Sequence, residues 1–250
     1  MLRLEGLVLE QGDFRLCADW QIGPGARVAL IGPSGAGKST LLAAIAGFLA
    51  PRAGRILWQG QDLGPLPPGA RPLSILFQDQ NLFPHLTLAQ NLGLGLRADL
   101  KLSPDQRVEV DAALERVGLG GFGPRKPPAL SGGQAGRAAL ARVLLRARPL
   151  LLLDEPFAAL GPALKDEMLA LLAEVASATG AAVLMVTHAP EDALRFADSV
   201  SLVAGGEAAA PVPVERIFAD PPEALRDYMG RAPGTATGAV TGKGGRIGGA

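Results

Sequence analysis

The sequence predicts an α/β fold in which buried, parallel strands are covered on both faces. Two apolar runs, 150–153 and 181–186, have the length of strands and the continuous hydrophobicity of strands that are covered on both faces. A Gly-rich segment over 32–40 lies between a third apolar strand, 27–31, and a helical stretch. From about 86 to 142 the pattern changes to helical periodicity with Gly and Pro breaks, which indicates a helical subdomain inserted into the core.

Composition limits the function classes. The chain has 250 residues, 48% of them hydrophobic, which is enough for one large domain with a sizeable core. Lys and Arg number 24, as do Asp and Glu, so a broad electrostatic footprint for nucleic acid is not expected. The single cysteine, Cys17, excludes a disulfide framework and fits a reducing compartment. Neither a secretory signal nor a membrane span of about eighteen apolar residues is expected.

The first third of the chain predicts a β layer followed by the first helix of the core. Alternation over 2–9 and the pattern over 14–22 favour two antiparallel strands. The first helix should end before Pro51 and Gly54, because proline cannot continue a helix. The other elements expected here are a helix over 39–49, strands over 55–58 and 73–78, and a Gly- and Pro-rich loop over 59–72.

The remaining elements follow from caps and periodicity. A helix over 105–117 is the clearest, with Ser103 as N-cap and Pro104 at its first position. The elements expected later are a helix over 162–179, a last strand over 199–203 and a short helix over 222–229. Over 231–250 seven of the twenty residues are glycine, and large apolar side chains are almost absent. We therefore expect a disordered Gly-rich tail.

A phosphate-binding loop is the first functional motif. It consists of Gly32, Pro33, Ser34, Gly35, Ala36, Gly37, Lys38, Ser39 and Thr40. The glycines let backbone N–H groups point at phosphate oxygens, and the positive end of the following helix faces the same anion. Lys38 is expected to reach the β- and γ-phosphates, the Ser39 hydroxyl to bind Mg²⁺, and Thr40 to lie near the α-phosphate. The alternative is an ordinary Gly-rich turn, a chance match on the order of one in a hundred.

Two adjacent carboxylates, Asp154 and Glu155, follow the buried strand over 150–153. The strand is expected to deliver them beside the phosphate loop, where Asp154 can hold Mg²⁺ through water and Glu155 can polarise the attacking water. Phosphoryl transfer depends mainly on positioning and charge stabilisation, which such a pair can supply. Alone, the pair would fit a solvated loop equally well; next to a phosphate loop, the catalytic interpretation is favoured.

Two polar residues at strand ends are further candidates. Gln78 ends the strand over 73–78 and can reach both metal and water, although a surface glutamine in isolation has no special role. His188 follows the apolar strand over 181–187 and could contact the γ-phosphate. A lone histidine at a strand end is, however, more often structural. The second of the two histidines, His85, is expected in a loop with a packing or interface role.

A second Gly-rich loop, Leu130-Ser131-Gly132-Gly133-Gln134, precedes a helix expected over 135–147. Ser131 and the glycine amides at a helix N-terminus form another anion cradle. The loop is expected to lie too far from the phosphate loop to serve the same phosphate within one chain, so it would act on a nucleotide held by a second copy. The alternative is a simple N-capped helix start.

The order of these five motifs resembles that of ABC-type ATPases over residues 1 to about 230. The resemblance implies a P-loop NTPase core of the RecA-like type, with an N-terminal antiparallel β layer and the inserted helical subdomain. It also implies ATP and Mg²⁺ as cofactors. It further implies a homodimer in which each ATP lies between the phosphate loop of one chain and the second Gly-rich loop, called the signature loop in this family, of the other chain. The resemblance assigns catalysis to Lys38, Gln78, Glu155 and His188, metal ligation to Ser39, Gln78 and Asp154, and nucleotide contacts to the phosphate loop and to Ser131, Gly132, Gly133 and Gln134.

The stretch over 71–96 looks like the ATPase subunit of bacterial thiamine importers. This likeness implies an integral membrane permease, a periplasmic solute-binding protein reached through it, a place at the cytoplasmic face of the inner membrane, and no nucleic acid. Leu82 and Phe83 would dock the permease, or would simply pack in the core. The alternatives are an importer of another small solute, a soluble ABC ATPase without transport, or a subunit that binds nucleotide without hydrolysing it.

Three positions depart from the family pattern. Gln11 stands where an aromatic residue usually stacks on adenine, and Phe14 is the nearest substitute. Gly161 ends the cross-dimer loop over 158–161 where the family often has Asp, so communication between the two sites is expected to be weaker. Gly136, just after the signature loop, is expected to weaken a helix by about 1 kcal/mol relative to Ala.

Overall fold

The computed structural model describes residues 1–77 and 82–231. The strands are β1 Leu2–Gln11, β2 Phe14–Ile22, β3 Arg27–Ile31, β4 Ala53–Trp58, β5 Gln61–Asp62, β6 Ser74–Leu76, β7 Leu150–Asp154, β8 Ala182–Val186, β9 Ser199–Ala204, β10 Glu207–Ala208 and β11 Val212–Pro213. The helices are α1 Lys38–Ala46, α2 Leu88–Leu96, α3 Pro104–Arg116, α4 Gly132–Leu145, α5 Pro162–Thr179, α6 Pro190–Phe196, α7 Val214–Ala219 and α8 Glu223–Arg231.

The described strands form one sheet with two parts. Its order is β5-β4-β1-β2-β10-β9-β3-β8-β7-β6, and β11 pairs with β9. Strands β6, β7, β8, β3 and β9 are parallel neighbours, and both β7 and β8 are buried along their whole length. Strands β2, β1, β4 and β5 are antiparallel. The predicted parallel core and antiparallel N-terminal layer are both confirmed.

The first helix is shorter than the sequence indicated. Helix α1 ends at Ala46, and Gly47 follows in the left-handed region with φ of 92°. The buried guanidinium of Arg71 donates to the carbonyls of Ala44 and Ile45 at 3.0 and 2.7 Å, which satisfies the last turn. The helix therefore ends at a glycine C-cap held by a distant arginine, before Pro51 and Gly54 are reached.

Gly54 has a different role, at a close approach of two strands. The pairing of β1 with β4 shifts its register between Glu5 and Val8, and Gly54 lies opposite this irregularity with φ of 82°. A Cβ atom on Gly54 would overlap the carbonyl oxygens of Glu5 and Gly6. Because these are backbone atoms, the two strands can meet here only with glycine at position 54.

The helical subdomain consists of α2, α3 and α4. Each helix begins with a capping box, in which a Thr or Ser side chain and a Gln side chain exchange hydrogen bonds with backbone N–H groups. Ser103 and Pro104 take their predicted places at the start of α3. Helix α4 also contacts β6, so this subdomain packs directly on the parallel sheet.

Several short elements were missed, and the expectation that 199–203 would be the last strand was wrong. Strand β10 pairs with both β2 and β9, and so joins the antiparallel layer to the parallel part of the sheet. The Trp20 indole donates to the carbonyl of Ala208 at 3.0 Å across this junction. Strands β5, β10 and β11 have two residues each, too few for a recognisable period.

At the carboxyl end of the described chain, α8 reaches Arg231, where the predicted tail begins. The rest of that tail, 232–250, lies outside the described residues. In the part of the chain that the structure describes, no helix is long and apolar enough to cross a membrane.

We predict that Gly54→Ala destabilises the fold by about 3 kcal/mol or more, because its Cβ has no room against backbone atoms. Gly60→Ala is the matched control: its φ of 84° is equally left-handed, and no atom lies within 4 Å of a Cβ there. That control should lose only roughly 1–2 kcal/mol. Urea unfolding of both variants measures the difference, and equal losses would show that the close approach of β1 and β4 is not a constraint.

Candidate functional site

The phosphate loop forms at the carboxyl end of β3. Gly32 follows Ile31 with φ of 148°, and a Cβ there would overlap the carbonyl oxygen of Val203 in the neighbouring strand β9. Gly35 and Gly37 also have positive φ values, 76° and 102°, which bend the chain back into α1. Because Gly37 is the N-cap and makes no side-chain cap hydrogen bond, the amides of the first turn are left for an anion.

The Lys38 side chain is buried and folds over this loop. Its ammonium donates to the carbonyls of Gly32 and Pro33 at 2.7 and 2.8 Å. Burial lowers the pKa of Lys38, while the nearby carboxylates of Glu155 and Asp154 oppose that shift. The loop therefore holds a cation where the phosphate groups of a nucleotide would enter.

Asp154 has the burial and the polar neighbours expected of a metal ligand. It ends strand β7 and is only 4% exposed. No described residue donates a hydrogen bond to its buried Oδ1 atom. Burial raises the pKa of Asp154, whereas hydrogen bonding with Ser39 and the charge of Lys38 lower it. A buried carboxylate oxygen without a partner, next to a hydroxyl, fits the oxygen ligands that Mg²⁺ prefers.

Glu155 and His188 are brought into direct contact. The His188 Nε2 atom lies 2.5 Å from Oε1 of Glu155. Glu155 has φ of 49°, a left-handed conformation that costs energy for a side chain of this size. Its N–H donates to the carbonyl of Val186 at 3.1 Å, which ties this conformation to strand β8. The strained backbone points to a functional carboxylate that the neighbouring strands hold in place.

Lys38, Glu155 and His188 line one cleft of about 230 Å³. Its walls are formed by Gln11, Phe14, Ser34, Gly35, Gly37, Lys38, Ser39, Thr40, Glu155 and His188. Phe14 lies against the loop, since a Cβ on Gly37 would overlap its ring, and it also packs on the core. A larger cavity of about 550 Å³ is also lined by Glu155 and His188, with Phe157, Met185 and Phe218 in its walls. The polar cleft suits phosphate groups better than this more apolar cavity.

The signature loop lies elsewhere in the chain. Ser131 is the N-cap of α4; its side chain accepts from the N–H of Gln134, whose side chain accepts from the N–H of Ser131. Helix α4 therefore begins at Gly132, three residues earlier than the sequence indicated. A Cβ on Gly133 would lie 3.1 Å from the Leu160 side chain, so the signature loop packs beside the segment 158–161. Of the described residues that line the phosphate cleft, none comes from the signature loop.

Similarity to known proteins shows the family of this chain. The family model described as ABC transporter matches residues 17–158, more than half of the chain. The thiamine import ATP-binding protein ThiQ of Cereibacter sphaeroides is 67% identical over 92% of this chain and 100% of its own length. The chain belongs to the ABC transporter family. A second ThiQ, from Ruegeria sp., is 57% identical with the same coverage of both chains.

Two solved structures extend the comparison to the fold of this ABC ATPase. A dimeric ATP-binding cassette in a post-hydrolysis state, bound to ADP and Pi, aligns with a TM-score of 0.77 at 28% identity. A dimeric bacterial ABC transporter cassette aligns with a TM-score of 0.76, also at 28% identity. Each alignment covers 86% of this chain and 99% of the other. The predicted P-loop fold of the ABC ATPase type is confirmed.

The departures from the family pattern have structural consequences. Gly161 is the N-cap of α5 with ordinary extended angles, φ of −69° and ψ of 160°, so it is not needed for backbone freedom. Gly136 is buried in α4. Arg137, in the same turn, donates to the carbonyls of Val117 and Gly118 at 2.7 and 3.2 Å. The cation kept after the signature loop therefore caps the end of α3.

One predicted catalytic residue, Gln78, lies outside the described residues. Nearby, Phe83 is 46% exposed and Leu82 packs partly against the core. Together with Phe48, which is 58% exposed, they line a surface groove of about 600 Å³. Arg142 and Arg146 of α4 also lie in its wall. Leu82 thus packs inward, as one alternative predicted, whereas Phe83 faces solvent, and the permease contact stays a prediction.

Sequence reasoning missed the residues that hold the His188 segment. The Thr187 hydroxyl donates to Asp192 at 2.8 Å and accepts from the N–H of Ala189 at 3.1 Å. The buried carboxylate of Asp192 in turn lies 3.2 Å from the Lys165 ammonium of α5. The Tyr228 hydroxyl of α8 donates to the main-chain carbonyl of His188 at 2.6 Å. None of these side chains belongs to a short motif, so only their tertiary contacts identify them.

We predict that Gly161→Asp stabilises the chain by a few tenths of a kcal/mol, because an Asp side chain at an N-cap accepts from the free amides of α5. A Cβ at this position meets no atom within 4 Å, so the substitution causes no clash. Gly161→Ala is the control, since it adds a Cβ without an acceptor and should be less stable than the parent. Urea unfolding measures the stability of both variants. Equal stability would show that an Asp side chain does not cap α5.

Proposed function

We propose that the chain is the ATP-hydrolysing subunit of a bacterial ABC importer, most specifically one for thiamine or thiamine phosphate. The observation that carries the enzymatic part is the contact of Glu155 with His188 at the wall of the phosphate-loop cleft. The solute is inferred from the relatives, which are named for thiamine import at up to 67% identity. An importer of another small solute is the second candidate, because the solute itself would not touch this chain.

ATP would bind with its phosphates in the loop over 32–40. The free amides of the first turn of α1 face the phosphate oxygens, and the helix dipole favours the same charge. Lys38 would exchange the carbonyls of Gly32 and Pro33 for oxygens of the β- and γ-phosphates. Phe14 is the aromatic side chain in the cleft wall that could stack on adenine, in place of Gln11.

Asp154 and Ser39 would hold Mg²⁺, because the unpartnered Oδ1 atom and the neighbouring hydroxyl supply suitable oxygen ligands. Gln78, which lies outside the described residues, is the third expected ligand of the ion. When bound, the ion would neutralise charge on the phosphate oxygens.

Hydrolysis would use Glu155 and His188 together. A water molecule between Glu155 and the γ-phosphate would lose a proton towards the Glu155 carboxylate as its oxygen bonds to phosphorus. The bond from the γ-phosphorus to the bridging oxygen would break, which leaves ADP and inorganic phosphate. His188 would hold Glu155 in place and contact the γ-phosphate, and Lys38 would stabilise the developing charge.

A homodimer would complete each site. The signature loop lies apart from the phosphate cleft of its own chain, and its Ser131 and Gly132 are exposed at the start of α4. An exposed helix N-terminus, where the helix dipole is positive, suits the γ-phosphate of a nucleotide held by the partner chain. The two solved structures are both dimers, which supports the same arrangement here.

The groove around Phe48 and Phe83 would dock an integral membrane permease. Exposed aromatic side chains with arginines close by are typical of protein interfaces, and the Arg142 guanidinium lies 5.9 Å from the centre of the Phe83 ring. Docking would place the chain at the cytoplasmic face of the inner membrane, with a periplasmic solute-binding protein on the other side. A role with nucleic acid is disfavoured by the balanced charge.

We predict that Glu155→Gln lowers the ATPase turnover of the full chain by about 100-fold or more, because it removes the base and keeps the shape of the side chain. ATP-bound dimers should persist in size-exclusion chromatography. Lys38→Ala is the comparison variant and should lose Mg²⁺-dependent activity together with ATP binding. Full ATPase activity in Glu155→Gln would remove Glu155 from its assigned role, and an inactive parent would favour a subunit that only binds nucleotide.

We predict that Phe48→Asp prevents co-purification with the permease and abolishes uptake of labelled thiamine in cells, because a buried carboxylate opposes docking. ATPase activity of the isolated chain should stay within about twofold of the parent. Val108→Asp is the matched control, since Val108 is 67% exposed on α3 and does not line the groove. Normal thiamine uptake by Phe48→Asp would show that the permease does not dock at this groove. If the parent protein supports uptake of a different solute and not of thiamine, the second candidate function is correct.

A further inference from the structure

Helix α8 reaches the catalytic centre from the carboxyl end of the described chain. Leu225 is fully buried, and the side chains of Ala224, Tyr228 and Met229 pack against the same hydrophobic core. Met229 also lines the larger cavity beside His188. This anchoring fixes the position of α8 relative to the segment 187–189, so that a polar side chain of α8 can bind it.

Tyr228 is that side chain. Its hydroxyl donates to the main-chain carbonyl of His188 at 2.6 Å. The neighbours of His188 are held by other groups, because Thr187 bonds to Asp192 and to the N–H of Ala189. The His188 carbonyl is thus held from α8, while the imidazole of the same residue lies 2.5 Å from Glu155. A bond on the main chain of His188 limits rotation of its peptide and therefore the direction in which its imidazole points.

We propose that Tyr228 is a positioning residue for ATP hydrolysis: its hydroxyl fixes the main chain of His188 and, through His188, the carboxylate of Glu155. The inference rests on the proposed function, in which Glu155 and His188 act on the water and the γ-phosphate. It assigns to the C-terminal helix a part in the reaction, and no short motif of the chain indicates that part.

The surroundings of the hydroxyl favour a lasting donor. Burial raises the pKa of Tyr228, and the nearby carboxylates of Glu155 and Glu191 raise it further. The phenol therefore stays protonated at the pH at which the enzyme works, and its hydrogen bond to the carbonyl persists.

The test is Tyr228→Phe in the full chain, which removes the hydroxyl and keeps the ring in its packing. We expect kcat for ATP hydrolysis to fall about fivefold, the size of one lost hydrogen bond, with KM for ATP unchanged. Thr179→Val is the matched control. The Thr179 hydroxyl donates to the carbonyl of Val175 at 2.7 Å, at the carboxyl end of α5 and away from the segment 187–189. This variant should keep the parental kcat.

A second measurement follows the imidazole directly. The chain has two histidines, so labelled His188 can be identified by NMR after His85→Gln removes the other signal. With the signals assigned in this way, Tyr228→Phe is measured with both histidines present. The His188 ring resonances should shift or broaden as the ring leaves Glu155, while those of His85 stay in place. A merely structural loss would change both histidines or neither.

Three outcomes would overturn the assignment of Tyr228. They are a parental kcat in Tyr228→Phe, an equal fall in Thr179→Val, and an effect confined to KM. Lys38→Ala, measured in parallel, separates this inference from the proposed function. If Lys38→Ala hydrolyses ATP at the parental rate, the proposed function fails; if it is inactive and Tyr228→Phe is normal, only the role of Tyr228 fails.

Discussion

An ammonium and a carboxylate, those of Lys38 and Asp154, are buried within electrostatic reach of each other at the carboxyl edge of the parallel sheet. Burial opposes the charge of each, and each partly restores the charge of the other. Lys38 satisfies its ammonium on the carbonyls of Gly32 and Pro33, whereas Asp154 keeps an oxygen without a partner among the described residues. The proposed ligand, ATP with a metal ion, would fit both groups, since its phosphate oxygens would accept from Lys38 and its cation would bind the unpartnered oxygen of Asp154.

The two residues that we propose act on the γ-phosphate, Glu155 and His188, are held by long-range contacts. Glu155 is kept in a left-handed conformation by its bond to strand β8, and His188 is fixed by its contact with Glu155 and by α8. Lys165 of α5 joins the same arrangement through Asp192. Because α5 begins next to the segment 158–161, which packs beside the signature loop, a chain of packing contacts joins the signature loop to Glu155 and His188.

Most of the candidate site could be predicted from the sequence because the residue types that each motif needs lie close together in the chain. The phosphate loop needs glycines and a lysine in one short run, and its place after β3 follows from the apolar strand before it. Asp154, Glu155 and His188 were found at strand ends because parallel strands collect their carboxyl ends at one edge. Features that depend on distant partners were not predicted: Arg71 bonds the last carbonyls of α1, which ends at the C-cap Gly47, and β10 forms because β2 and β9 both pair with it.

By itself the sequence determined the fold class, the nucleotide-binding motifs and their order, since these are set by hydrophobic period and by residue types at fixed spacing. Only the tertiary structure decided that Arg137 caps α3, that Asp192 and Lys165 support the segment around His188, and that Tyr228 binds the carbonyl of His188. Tyr228 and His188 are 40 residues apart in the chain. No local rule links positions so far apart, because their contact exists only once the core has placed α8 beside the end of β8.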